Sequence, residues 1–336
     1  MIARTDSPKI LIIRLDGLGD TLLTLPLLDG LKKCWSDCEI TYLASPRGAS
    51  VFNGDPRISK LWVHELAVLS KAEKWNLGQT IRANAFDLVF CLNEKFWPAL
   101  WTRMSGASIR LGFDPGWTQP PKALLRRLTL THWLQNPNDP SLASIHEVER
   151  YAALAALAGC RMAQGPMQLA LPESDDAWAR GLTQQTPLPL ALHLSAKWTS
   201  EGWSADSCVS VARSILEKFP TAFLYVTAGP GEERFFANAY AVLPADRFRL
   251  LNELSFSQWA ALLRHCRALV SMDTGAVHLA AAVSTPVVDV FPAMNFTHAS
   301  SRWSPWQVPH RIIRRLAPED KAKFLSQICT ALEAIL

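Results

Sequence analysis

Two short stretches of the chain concentrate the side chains that could do chemistry. The first is Asp16-Gly17-Leu18-Gly19-Asp20, directly after the apolar run at residues 10–13. A strand, a glycine turn and then leucines at helical spacing make the first half of a βαβ unit. Asp20 would then lie at the strand's C-terminal end, where α/β folds bind their ligands and a carboxylate could take a proton from a hydroxyl. An N-cap aspartate is the plainer alternative. The second stretch is Asp273-Thr274-Gly275, followed by His278, where an apolar strand gives way to a helix starting at Ala276. Amides at such a helix start suit an anion. His278 reads equally as a core histidine on the apolar face LAAA.

The elements that must hold these residues alternate as parallel α/β folds do. Strands are expected at residues 39–43, 61–63 and 86–92, and an amphipathic helix at 145–158 closed by Gly159. Residues 164–189 carry four prolines and are where the chain changes domain. The theme then restarts with a strand at 190–195, a helix at 205–218, and the strand AFLYVTA running into Gly229-Pro230-Gly231. A short helix leads into the strand before Asp273, and a terminal helix spans 322–336. The expected division is residues 1–170, 171–318 and a C-terminal helix 319–336 that could pack back on the first domain.

A nicotinamide or flavin cofactor is excluded on two counts. The dinucleotide fingerprint wants glycine where the chain has Leu22, and an acid where the second strand ends in Ala44 and Ser45. No cofactor is therefore expected.

At 336 residues the chain has room for two α/β domains, and a hydrophobic content of 49% supports substantial cores. No apolar run reaches the 18 or so residues of a membrane span, and residues 1–9 lack a signal peptide's apolar region, so a soluble, cytoplasmic protein is expected. The formal charge of +4 does not by itself imply nucleic acid. Its distribution says more. Lys95, Arg103, Arg110, Lys122, Arg126 and Arg127 fall in one stretch with Phe96, Trp97, Trp101, Trp117 and Trp133, and Asp114 is the only acid there before His132. This is either a solvated face over buried tryptophans or a cationic patch for an acidic partner. The seven cysteines read as small core residues in a reducing compartment, with Cys34 and Cys38 too isolated for a zinc site.

Four segments in order, RLDGLGDTLLTLPLL (14–28), HEVERYAAL (146–154), TAGPGEE (227–233) and MDTGAVHLAAA (272–282), resemble glycosyltransferase family 9, the ADP-heptose:lipopolysaccharide heptosyltransferases. The tail FPAMNFTHASSRWSPWQVPHRII is similar to the family's closing segment. The resemblance implies a GT-B fold, two Rossmann-like domains facing a central cleft, with the acceptor on the N-terminal domain and the nucleotide-sugar on the other. It implies that Asp20 is the general base of an inverting heptose transfer from ADP-heptose to a lipopolysaccharide inner-core acceptor. On the donor side it implies Asp273 at the sugar, Thr274, Gly275 and His278 at the phosphates, and Ser195, Lys197 and Gly229 nearby. The turn 229–233 reads also as a plain turn. On the acceptor side stand Gly17, Gly19, Lys122, Arg126 and Arg127. The implied partners are the donor, a phosphorylated glycolipid and the cytoplasmic face of the inner membrane, without metal or nucleic acid. The chain departs from the pattern in one place. The family's phosphate-binding lysine, two residues before a tryptophan, is replaced by Glu201 before Trp203, with Lys197 four residues earlier as its substitute. A relative using another nucleotide-sugar or acceptor, or a binding protein without turnover, are the rival readings.

Overall fold

The computed structural model describes residues 7–116, 119–135, 145–163, 165–229, 231–232, 243–251 and 253–336, apart from the side chain of Ser207. They gather into two units, one from residues 7–135 and 145–165, the other from residues 166–336.

Each unit is built on a six-stranded, wholly parallel sheet. In the first, β1 (Lys9–Arg14), β2 (Glu39–Ala44), β3 (Lys60–Val63), β4 (Leu88–Cys91), β5 (Ile109–Asp114) and β6 (His132–Gln135) lie in the order 3-2-1-4-5-6. In the second, β7 (Leu188–Leu194), β8 (Ala222–Ala228), β9 (Phe248–Leu251), β10 (Ala268–Met272), β11 (Val287–Phe291) and β12 (His310–Arg314) repeat that order, running 12-11-10-7-8-9. This is the doubly wound arrangement, and its chain reversal falls between β1 and β4 and between β7 and β10. The central strands are apolar along their length because helices cover both faces: in β1 the residues 10–13 are all fully buried. The ligand-bearing crevice of such a sheet opens at its strands' C-terminal ends beside the reversal. Both chemically loaded stretches of the sequence start there.

β5, β6 and the helices Phe96–Met104 and Pro120–Thr129 occupy the stretch where basic and aromatic residues concentrate in the sequence. The proline-bearing segment at residues 164–189 belongs from residue 166 to the second unit and holds a helix, Glu173–Thr183. The terminal helix Lys321–Glu333 seats Phe324, Ile328 and Leu332 in the second unit's own core, with Ile215 and Val288.

One expectation is corrected. Cys34 and Cys160 are not free core thiols: they form a disulfide, their Cα atoms 5.7 Å apart. Gly30 explains how the two segments come so close, since a Cβ there would meet Met162 at 2.5 Å. The other five cysteines are free and buried, as expected of core residues.

Candidate active site

In the first unit the site grows from the turn after β1. The chain enters the short helix Leu18–Leu22 with Gly17 as its N-cap, at φ −72° and without a side-chain cap. Gly17 is thus in a conformation open to any residue, and Gly19 lies within the helix; a sharp glycine turn is not what shapes this corner. Asp20 is not the cap either. It sits in the helix's first turn and accepts a 2.5 Å hydrogen bond from Arg14 Nη2, with a side chain 34% exposed. Arg14 ends β1, is buried, and donates its other terminal nitrogen to the Leu92 carbonyl beyond β4. A rigid, buried cation thus holds a half-open carboxylate at the reversal between β1 and β4.

The surrounding groups extend the network. Asn93 accepts from the Leu15 amide at 2.6 Å and donates to Asp16 Oδ2 at 2.5 Å. Lys95 Nζ lies 3.8 Å from the other oxygen of Asp16. Burial, helped by the like charge of Asp20, raises the Asp16 carboxyl above its usual range although Arg14 pulls it down. From the helix Glu147–Leu157 come the buried pair Glu147 and Arg150, 2.8 Å apart, and Tyr151, whose phenol burial raises well above its ordinary pKa. His146 caps that helix, its Nδ1 accepting from the Val148 amide. The HEVERYAAL motif therefore braces the site from behind. The sequence reading assigned it no role, although the motif itself was the signal.

The cations expected at the acceptor divide. Lys122 is exposed. Arg127 is partly exposed, pairs with Asp114 at 2.8 Å and lies 6.0 Å from the Trp133 ring. Arg126 is a correction: it is 1% exposed, hydrogen-bonded to the Asn93 carbonyl and to Cys91 Sγ, so it cannot meet a partner at the surface. It faces inwards because helix positions 123, 126 and 129 form the buried stripe. Trp101 is buried, and Trp117 lies outside the described residues.

The second unit presents its groups at the matching reversal. Ser195 follows β7, 6% exposed, and its hydroxyl has no partner among the described residues. Lys197, two residues on, donates to Asp273 Oδ2 at 3.0 Å and to the Asp273 carbonyl, so the loop after β7 and the loop after β10 are clasped together. Thr274 caps the helix Gly275–Ala282 by accepting from the Ala276 amide, which leaves the Thr274 and Gly275 amides without a partner among the described residues. His278 is buried one turn further in, within a helix whose residues 276–282 are all buried. Gly229 lies beside Glu232, whose carboxylate folds back to accept from the Ala196 amide at 3.0 Å. Pro230 and Glu233 of that turn fall outside the described residues.

Glu201, the apparent misfit, is accounted for by Arg315. That guanidinium is buried, bonds Glu201 Oε2 at 2.6 and 3.0 Å, and also donates to the Lys197 carbonyl and Ser200 Oγ. The pairing holds the Glu201 carboxyl below its ordinary range, against the upward pull of partial burial. The carboxylate is thus neutralised by Arg315 and stabilises the loop that carries Lys197. Nothing in the sequence pointed from Glu201 to a residue 114 positions away.

Residues 74–331 match the model of glycosyltransferase family 9 (heptosyltransferase). The chain belongs to that family. It is 23% identical over 307 residues to lipopolysaccharide heptosyltransferase 3 of Escherichia coli, covering 86% of this chain and 83% of the relative. To lipopolysaccharide heptosyltransferase 1 of Pseudomonas aeruginosa it is 25% identical over 316 residues, covering 88% and 82%. Among solved structures, the family 9 glycosyl transferase of Veillonella parvula superposes with a TM-score of 0.78 at 15% identity, covering 98% and 99% of the two chains. E. coli ADP-heptose lps heptosyltransferase II superposes at 0.74 with 20% identity, covering 97% and 98%. The GT-B fold class read from the sequence is the one these neighbours share, and the family 9 chain is a glycosyltransferase of the heptosyltransferase type.

Proposed function

We propose that this glycosyltransferase moves a heptose from ADP-heptose to a phosphorylated glycolipid of the lipopolysaccharide inner core, with inversion at the anomeric carbon. The observation that carries the reading is the placement of Asp20. It is a carboxylate that caps nothing, is oriented by the buried Arg14, and stands at the sheet reversal where α/β ligands bind. A role in transfer accounts for that arrangement better than a binding module without turnover, which needs no base.

In this reading Asp20 takes the proton of the acceptor hydroxyl as its oxygen forms a bond to the anomeric carbon. The bond from that carbon to the β-phosphate oxygen breaks on the opposite face, and ADP leaves with the electron pair. Only a group that stabilises this charge more in the transition state than before it accelerates the step. The amides at Thr274 and Gly275 and the Lys197 ammonium meet that need, with the helix dipole of Gly275–Ala282 adding to them. Asp273 would hold the sugar, and Ser195 would add a hydroxyl. Pairing with the buried Arg315 guanidinium offsets the repulsion that an unpaired Glu201 carboxylate would bring to the diphosphate. Lys122 and Arg127, with Lys95, would face the anionic acceptor. The enzyme would work at the cytoplasmic face of the inner membrane; among the described residues no helix is long and apolar enough to cross one.

The test is transfer itself. ADP-heptose and a heptose-deficient core acceptor should give a product heavier by one heptose, with the anomeric configuration inverted by NMR. Asp20→Asn should lower turnover by roughly 10²–10⁴-fold while ADP binding by calorimetry stays as in the wild type. Turnover near the wild-type level in Asp20→Asn would remove Asp20 from the chemistry, and no product with any inner-core acceptor would overturn the assignment.

A further inference from the structure

The helix Pro120–Thr129, sequence PPKALLRRLT, is folded inside out for a surface helix. Its inward stripe is Ala123, Arg126 and Thr129, all buried, and that stripe includes a guanidinium. Its outward positions hold leucines: Leu124 is 55% exposed and Leu128 65%, four residues apart and so on one face. An ordinary amphipathic helix would turn its leucines in and every charge out; here Lys122 and Arg127 do face out, but Arg126 does not. Here Arg126 is held inside by the Asn93 carbonyl, and the leucines pay the consequence by facing outwards.

They do not stand alone. Phe96, 57% exposed at the start of the neighbouring helix Phe96–Met104, joins Leu124, Leu125 and Leu128 around an open groove of about 730 Å³. Lys95 and Lys122 stand in its lining, with Glu94 as the one acid there. Trp133, 39% exposed, lies beside Arg127 at 6.0 Å. Large apolar side chains flanked by lysines and an amphipathic aromatic are what an anionic lipid surface binds: the apolar groups enter the acyl boundary while the cations meet the headgroups. A partner protein's patch would not require the cations at the rim. Lys95 also joins the groove to the candidate site, since its ammonium is 3.8 Å from Asp16 in the turn that carries Asp20.

We infer that the Phe96, Leu124 and Leu128 face docks the enzyme on an anionic lipid bilayer, with Lys95 and Lys122 at the headgroups. This deepens the proposed function, on which it rests for the acceptor being an amphiphile. The bilayer would deliver that acceptor with its polar end towards Asp20.

Vesicle sedimentation tests it without donor or acceptor, so its failure is separate from failure of the transfer reading. Wild-type enzyme should sediment with vesicles of phosphatidylethanolamine and phosphatidylglycerol, more weakly as salt rises, and should stay in solution with phosphatidylcholine alone. Leu124→Ser/Leu128→Ser, with its melting temperature kept, should partition at least about tenfold less. A wild type that ignores anionic vesicles, or a double variant that binds them equally, overturns the inference. A wild-type dimer that the double variant dissolves, seen by sedimentation velocity, overturns it in favour of a second copy. Should the double variant not fold, Leu128→Cys labelled with an environment-sensitive dye replaces it. A blue shift on adding anionic vesicles supports the inference, and an unmoved spectrum refutes it.

Discussion

Lys197 carries the sharpest consequence at the scale of single residues. Its ammonium donates to Asp273 Oδ2, so a diphosphate arriving there would compete with one carboxylate for one cation. Lys197→Ala should therefore weaken ADP binding, by roughly tenfold if one charge-assisted contact is lost, as read by calorimetry. Glu201→Gln should act otherwise. It leaves the fully buried Arg315 guanidinium short of its counter-charge, and should lower stability by about 1–3 kcal/mol, less than for a wholly buried pair because Glu201 is part-exposed. Unfolding in urea measures that loss, and ADP affinity should change less than in Lys197→Ala. Equal ADP affinities in wild type and Lys197→Ala would leave the phosphate to the amides alone. Asp20 and the Asp273 turn stand out in the sequence as reactive groups beside strand ends, whereas Lys197 comes into view only through the family resemblance. Sequence reasoning could not see Arg14 as the holder of Asp20 in the same way, since Arg14 reads simply as the polar end of a buried strand. Arg315 was further from view, because partners that meet only in the tertiary fold leave no spacing signal.

At the scale of elements, strands were legible where burial on both faces writes a continuous apolar run, as in β1, β4 and β7. β5 and β6 escaped because IRLGFD and HWLQ mix polar with apolar positions, and the helix after β5 carries one of its two arginines inside. β11 shows another exception. It reads VVDVF, wholly buried, and both carboxyl oxygens of Asp289 lack a partner among the described residues. Burial drives the Asp289 pKa well above the ordinary value, with Asp273 adding and Lys197 opposing. The folded state thus holds this proton more tightly than the unfolded chain does. Stability from this group is then greatest below the ordinary carboxylate pKa of about 4 and declines as pH rises from there towards the raised value. Asp289→Asn removes the titration. Its melting temperature should exceed that of the wild type at pH 8, by roughly 2–4 °C for each kcal/mol released, and the gap should close as pH falls towards 4. Parallel melting curves for the two proteins across that window would refute a buried, titrating Asp289.

For the molecule as a whole, the repeated βα pattern was enough to anticipate two parallel α/β units, because period, turn residues and strand length agree along most of the chain. The cross-link between Cys34 and Cys160 was not legible: 126 residues separate the two, and an odd cysteine count in a chain expected to be cytoplasmic argues for free thiols. The bond ties the end of the helix Leu25–Cys34 to residues just before the second unit begins at 166. It encloses most of the first unit, so it should act chiefly by narrowing the unfolded ensemble. Chain-entropy reasoning for a loop of that length gives about 5 kcal/mol as an upper value. Denatured, unreduced enzyme should titrate five thiols, and the reduced enzyme seven. Cys160→Ser should unfold at lower urea than the oxidised wild type and match the reduced wild type, because both lack the same constraint. The two sheets each bury their own core, so the variant should still fold and, with the donor site proposed on the second unit, bind ADP as the wild type does. Seven thiols in the unreduced protein would mean that the pair stays open in solution, and an oxidised wild type no more stable than Cys160→Ser would mean that closing it constrains nothing.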